Sequence, residues 1–334
     1  MPIATTDILA ARRRLAGRVR HTPLAPSASL SRRLARPVLL KHEQQQATGS
    51  FKLRGATNGI LALDEAARAR GVVTVSTGNH GRALAQAAHE AGVRAVVCMS
   101  RLVPANKVEA IRALGAEIHI VGRSQDEAQQ EVERLVAEEG LTLLPPFDHP
   151  EVVAGQGTLG LEILEAAPEA AAILVPLSGG GLIAGIARAA KSLNPAIRVV
   201  GITMERGCAM KRSLEAGHPV AVEEEESLAD SLGGGVGLDN RHTFAMVRDL
   251  VDDCLLVHAA EIAAAMRHAY LEESEVLEGA AAVGIALILA GRVPAVPANG
   301  PVVCLLSGRN VDMALHRRVM NGKVPTEQGG GGGD

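Results

Sequence analysis

The chain has little with which to stack or cross-link. In 334 residues there is no tryptophan, one tyrosine and three phenylalanines. The interior is therefore left to Ala, Gly, Val and Leu, whose size suits helices packed closely on a parallel sheet. The four cysteines, Cys98, Cys208, Cys254 and Cys304, lie far apart without a CxxC pair, and three of them sit in apolar runs. That spacing argues against a zinc site or a disulfide framework and for buried thiols in a reducing cytoplasm. No apolar run reaches the roughly 18 residues of a membrane span. The start, MPIATTDILAARRRLAGR, lacks the apolar centre of a signal peptide and reads as an amphipathic helix. A formal net charge of −3 leaves no electrostatic footprint for nucleic acid or an anionic membrane. The expectation is a cytoplasmic protein whose partner is a small molecule.

What is present is an alternation. Apolar runs at 72–76, 95–99, 117–122, 172–177, 198–204, 253–257 and 301–307 each precede an alanine-rich helical stretch or a glycine-rich turn. Strands separated by helices of this length imply βαβ units and a parallel sheet, so the fold class is α/β. Two lobes are expected: a large one from 1–70 and 149–325, and a smaller, mobile one from 71–148 inserted in it. The tail 326–334, ending GGGGGD, is expected to be disordered. In open α/β sheets ligands sit beyond the carboxyl ends of strands, so the strand-to-helix turns are where chemistry is sought.

Four such places stand out. TGSFKLRGA (48–56) sets Lys52 directly after the scarce Phe51, among small residues. STGNHG (76–81) follows one strand and opens a helix; Ser76 and Thr77 add hydroxyl donors, and an anion or a plain helix cap would both suit it. SGGGL (178–182) has three consecutive glycines at a helix start, an entropic cost that makes sense where the main chain approaches a phosphate. It has neither the Gly-Lys-Ser/Thr of a nucleotide-binding loop nor the G-x-G-x-x-G of a dinucleotide fold, which weighs against a nicotinamide-dependent oxidoreductase. SGRN (307–310) ends the last apolar run. Glu278, before Gly279 and Ala280, reads either as a surface charge or as an inward proton partner, and the sequence favours the surface. A phosphate cradle, a carboxylate cradle and an isolated lysine are together the parts needed to hold pyridoxal 5′-phosphate and an amino acid.

In this order, TGSFKLRGA, STGNHGRALA, PPFDHPEVVAGQGT (145–158), SGGGLIAG and SGRNVD make the chain resemble fold-type II pyridoxal-phosphate enzymes, the threonine dehydratase and serine racemase family. The resemblance runs from HTPL (21–24) to SGRNVD (307–312). It implies that Lys52 bonds covalently to the cofactor and later takes the Cα proton, with Phe51 flanking the ring. It implies that Asn79 bonds the ring's 3-hydroxyl, that Gly179, Gly180, Gly181 and Leu182 hold the phosphate, and that Ser307 faces the pyridine nitrogen. Ser76, Thr77, Asn79 and His80 match the loop that takes the substrate carboxylate. The implied reaction removes water from a β-hydroxy amino acid, giving a 2-oxo acid and ammonia; a racemase is the alternative on the same scaffold. The family also implies a homodimer or homotetramer.

Departures from the pattern carry their own expectations. Thr77 stands where racemases place a second catalytic serine and many dehydratases place alanine, so its hydroxyl keeps a weak racemisation open. Ser178 replaces the first glycine of a four-glycine loop, and PPFDHP is similar to the dehydratase version of that segment. Lys211 stands where metal-dependent members have aspartate, and is expected to replace the cation by pairing with Glu205, leaving no metal. LADSLGGGVGLDNRHTF (228–244) is most similar to dehydratases of hydroxyectoine utilisation. That similarity implies 3-hydroxy-2,4-diaminobutyrate as substrate, with acidic residues such as Asp239 toward its terminal amine.

Overall fold

Short runs of β-branched residues and leucine, bounded by Gly, Pro and Asp, become the strands. The computed structural model describes residues 3–103, 105–297 and 299–323, so the tail 326–334 lies outside the described residues. In chain order the strands are β1 (Leu24–Pro26), β2 (Val38–Lys41), β3 (Val72–Val75), β4 (Ala95–Met99), β5 (Glu117–Ile120), β6 (Thr142–Leu143), β7 (Ala172–Pro176), β8 (Arg198–Met204), β9 (Asp253–Val257) and β10 (Val302–Leu305). They form a six-stranded sheet of order β1-β2-β10-β7-β8-β9 and a four-stranded sheet of order β5-β4-β3-β6. All neighbours are parallel except β1, which pairs antiparallel with β2.

Both faces of the larger sheet are covered, and the period of two along each strand divides its side chains between them. Ile173, Val175, Val303 and Leu305 join one core with Ile183 and Val153, while Leu174, Val302 and Cys304 join the other with Ala281 and Ile285. The smaller sheet is divided likewise, Val97 and Met99 against Leu84 and Val96 and Cys98 against Val132. All four cysteines are free, and Cys98, Cys208 and Cys304 are buried. Among the described residues no helix is long and apolar enough to cross a membrane.

The scarcity of large side chains shows most plainly where helices meet. A Cβ on Gly185 would lie 2.4 Å from the Val153 carbonyl, and one on Gly155 would lie 2.7 Å from the Arg54 carbonyl. The helices Lys52–Leu61, Pro150–Ala166 and Gly181–Leu193 therefore touch backbone to backbone. At the edge of this seam Arg54 is buried between two carboxylates, Nε 2.6 Å from Glu43 Oε1 and Nη1 2.6 Å from Glu162 Oε1; Lys41 Nζ completes the set at 2.6 Å from Glu162 Oε2. The segments that follow β2, β3, β7 and β10 all emerge at strand carboxyl ends, around one cavity.

Candidate active site

Beyond β2 the chain makes a 3-10 turn at Glu43–Gln45 and then a loop that is stitched to the segment after β10. Ser50 forms an isolated antiparallel bridge with Gly308. The Phe51 N–H donates to the Ser307 carbonyl at 3.0 Å, and the Arg309 N–H to the Gly49 carbonyl at 2.9 Å. Lys52 is the first residue of the helix that follows, and two residues on, Arg54 is gripped by Glu43 and Glu162. The base of the lysine is thus fixed from both sides.

Its amine reaches a cavity of about 510 Å³, within the range typical of small-molecule sites. Lys52 Nζ donates to the Pro146 carbonyl at 2.6 Å and lies 5.2 Å from the centre of the Phe51 ring. Burial pushes its pKa down from 10.5 to about 8, against the opposing pull of the Glu278 carboxylate. Phe51, Lys52, Ser76, Thr77, Asn79, His80, Gly179, Gly180, Gly181, Leu182 and Ser307 all line this one cavity, although they come from four separate stretches of chain.

At one wall the glycine run is backed by Phe147. A Cβ on Gly179 would lie 2.5 Å from the Phe147 ring, and one on Gly181 2.9 Å from its carbonyl; Gly180 has a φ of +88°. The three glycines themselves line the cavity. The helix Gly181–Leu193 starts here, and its first-turn N–H groups have no partner within the helix. Such a wall suits phosphate oxygens.

At another wall the helix Asn79–Ala91 begins. Ser76 Oγ accepts from the Gly81 N–H at 3.1 Å and from the Gly78 N–H at 3.4 Å, so the capping role is filled by Ser76 while Thr77 faces the cavity. His80 Nε2 bonds the Leu144 carbonyl at 2.9 Å. Burial, and the nearby Lys52 charge, take its pKa down to about 3, so the ring is neutral. Asn79 Nδ2 donates to Glu278 Oε1 at 2.8 Å and Oε2 at 3.1 Å, and Asn79 Oδ1 accepts from Asn310 Nδ2 at 2.6 Å.

Three expectations need correction. Lys211 does not pair with Glu205: its Nζ is 3.3 Å from Glu215 Oε1, one helical turn along, and Glu205 is engaged by His258 Nδ1. The i,i+4 spacing of Lys211 and Glu215 was the available signal. Asp239 is exposed and stands outside the cavity wall, where Glu224 and Asp230 are found instead. Glu278 is not at the surface but 5% exposed, inside the cavity wall. Arg82 and Phe147 also line the cavity; both stand inside the motifs quoted above, and Phe147, one of three phenylalanines, shares the scarcity that marked Phe51. Among the described residues no cluster of three or more His, Cys, Asp or Glu could hold a metal ion.

A partly desolvated amine in one cavity with a glycine-rich helix N-terminus and a buried serine just beyond β10 fits pyridoxal phosphate. The family model described as pyridoxal-phosphate dependent enzyme matches residues 15–308. The chain belongs to the pyridoxal-phosphate-dependent enzymes. Within that family it is 59% identical over 322 residues to a Sinorhizobium fredii protein provisionally named threonine dehydratase, covering 96% of each. It is 38% identical to the catabolic L-threonine dehydratase of Escherichia coli, over 94% of this chain and 95% of that one. Maize serine racemase has a similar structure, with a TM-score of 0.90 at 34% identity, over 96% of this chain and 98% of that chain. The two-sheet α/β architecture is that of fold-type II pyridoxal-phosphate enzymes, and pyridoxal phosphate is the cofactor.

Proposed function

We propose that this pyridoxal-phosphate enzyme is an ammonia-lyase of the threonine/serine dehydratase type, converting a β-hydroxy-α-amino acid to a 2-oxo acid and ammonia. The observation that carries the reading is that the Lys52 amine and the glycine run at Gly179 to Gly181 line one cavity. The names of the Sinorhizobium and Escherichia coli relatives support it.

When bound, pyridoxal phosphate supplies the electron sink that makes the Cα–H bond acidic and lets a β-substituent depart. In this reading the N–H groups at Gly179 to Leu182 hold its phosphate, Ser307 offers a neutral hydrogen bond to the ring nitrogen, and Phe51 walls the ring. Lys52 Nζ is the base for the Cα proton, and its lowered pKa leaves a usable share of neutral amine near pH 7. Ser76, Thr77, Asn79 and His80 border the place for the substrate carboxylate, at a helix start whose dipole favours an anion. The neutral His80 ring adds no competing charge there.

The finer reading is a substrate with a terminal amine, 3-hydroxy-2,4-diaminobutyrate, from hydroxyectoine breakdown. The resemblance of 228–244 supports it, as does Glu224 in the cavity wall, which offers a carboxylate to an ammonium group; Asp230 beside it pairs with Lys107 Nζ at 3.5 Å. The test is ammonia and 2-oxo-acid release from L-threonine, L-serine and 3-hydroxy-2,4-diaminobutyrate, with Lys52→Ala as the inactive control. The diamino substrate should give the highest kcat/KM. Release from none of the three refutes the lyase reading, and a preference for L-threonine refutes the finer one. The Thr77 hydroxyl and the likeness to serine racemase keep a second activity in view, measured as D-serine formed from L-serine.

A further inference from the structure

Four polar groups around the cavity form a hydrogen-bonded run whose direction is fixed at both ends. The Thr48 carbonyl, four residues before Lys52, can only accept, and it takes Asn310 Nδ2 at 2.9 Å. The same Nδ2 gives its other hydrogen to Asn79 Oδ1 at 2.6 Å. The Asn79 amide is thereby oriented, and its Nδ2 turns toward Glu278, whose carboxylate accepts. Reversing either amide would set donor against donor or acceptor against acceptor.

We propose that Glu278 is a positioning residue for the cofactor: as the terminal acceptor of the run Thr48–Asn310–Asn79–Glu278, it holds the Asn79 amide with its NH₂ group at the cavity. The proposal rests on the reading that Asn79 faces the cofactor. Its geometric support lies in how the carboxylate is seated. Oε1 also receives the Ser231 hydroxyl at 3.3 Å, and the carboxylate is bonded by the Asn310 backbone N–H. The Glu278 N–H donates to the Gly308 carbonyl at 3.2 Å, fixing the base of the side chain. A Cβ on Gly308 would lie 2.5 Å from Glu278 Oε1, so the turn after β10 is shaped to admit this carboxylate. Asn79 opens a helix that packs on the four-stranded sheet, whereas Glu278 and Asn310 belong to the other part of the chain. Asn79 therefore joins two parts of the chain that border the cavity.

The charged neighbours are Lys52, Arg82 and Asp230. Burial raises the carboxyl to about 7, with Asp230 pushing it the same way and the bonds from Asn79, Ser231 and Asn310 opposing. In the cofactor-free chain the proton on Glu278 is thus gained and lost near neutrality, and the Asn79 amide should report it.

The test uses the full chain. Pyridoxal 5′-phosphate affinity and the absorption band of the bound cofactor are measured for the parent protein, Glu278→Gln, Glu278→Asp and Asn310→Asp. The ¹⁵N side-chain amide signal of Asn79 is followed against pH without cofactor. Glu278→Gln should weaken cofactor binding by about tenfold or more, the value of one charged hydrogen bond, and displace the band, with Glu278→Asp in between. Asn310→Asp, which sets an acceptor against the Thr48 carbonyl and Asn79 Oδ1, should do the same with Glu278 intact. The Asn79 signal should titrate near pH 7 in the parent and be flat in Glu278→Gln. Wild-type affinity and band in both Glu278→Gln and Asn310→Asp overturn the proposal, as does an Asn79 titration that persists in Glu278→Gln. Failure of the parent chain to take up cofactor at all would instead refute the assignment of Asn79 to the cofactor, and the Asn79 titration would then decide the positioning role alone.

Discussion

The amine of Lys52 should titrate far below an ordinary lysine, and the consequence can be worked through. With a pKa of about 8 instead of 10.5, roughly one tenth of the amines are neutral at pH 7, against about three in ten thousand for the unshifted group. The nucleophilic form is enriched about 300-fold. The cause is burial, partly offset by the Glu278 carboxylate, so the sign of a second effect is fixed as well: Glu278→Gln removes the charge that favours the ammonium and should move the midpoint below 8. Competitive acetylation with acetic anhydride from about pH 6 to about pH 11 measures this in the cofactor-free chain, each lysine being read by peptide mass spectrometry. Added free Nα-acetyl-lysine serves as the internal reference. A Lys52 midpoint coincident with that of the free amino acid would refute the reasoning, and an upward move in Glu278→Gln would refute the part assigned to the carboxylate.

Other consequences are equally measurable. Arg54→Ala leaves the buried Glu43 without its cation and the half-buried Glu162 with Lys41 alone, and should cost about 3–5 kcal/mol in urea unfolding. Gly179→Ala drives a methyl to 2.5 Å from the Phe147 ring. Relief of that overlap, at about 1–3 kcal/mol, should come from displacing the glycine wall, and pyridoxal 5′-phosphate affinity should fall about tenfold or more by equilibrium dialysis. His80 has a folded pKa of about 3 below its unfolded 6.5. Its contribution to stability is complete above about pH 6.5 and is lost as the pH falls toward 3, because the unfolded chain takes the proton first. Thermal unfolding of the cofactor-free His80→Gln protein should accordingly show a shallower loss of Tm over that window than the parent.

β3, β4, β7, β8 and β10 were legible because each is a largely apolar run, as expected of strands covered on both faces. β1, β2 and β6 were not. β1 is an antiparallel edge strand of three residues ending in proline, β6 has two residues, and β2 ends at Lys41, a charge made compatible with burial by partners distant in sequence, the Glu162 carboxylate and the Thr22 carbonyl. At the site, glycine runs and strand-end serines were visible since they serve backbone geometry, which is local. Glu278 was misjudged for the opposite reason. Its partners come from residues 79, 231 and 310, and nothing within a helical turn of it signals an inward carboxylate. Lys211 is drawn away from Glu205 for a local reason, since Glu215 lies four residues along the same helix.

β10 has a bearing on how the chain is made. It comes after every other strand in sequence yet sits between β2 and β7, with Val302 opposite both Val38 and Ala172. While the polypeptide is being synthesised, those two strands must wait with open edges until residues 302–305 have left the ribosome. The larger sheet is therefore completed by threading a late arrival into its middle, and the nascent protein should depend on chaperones that shield unpaired strands.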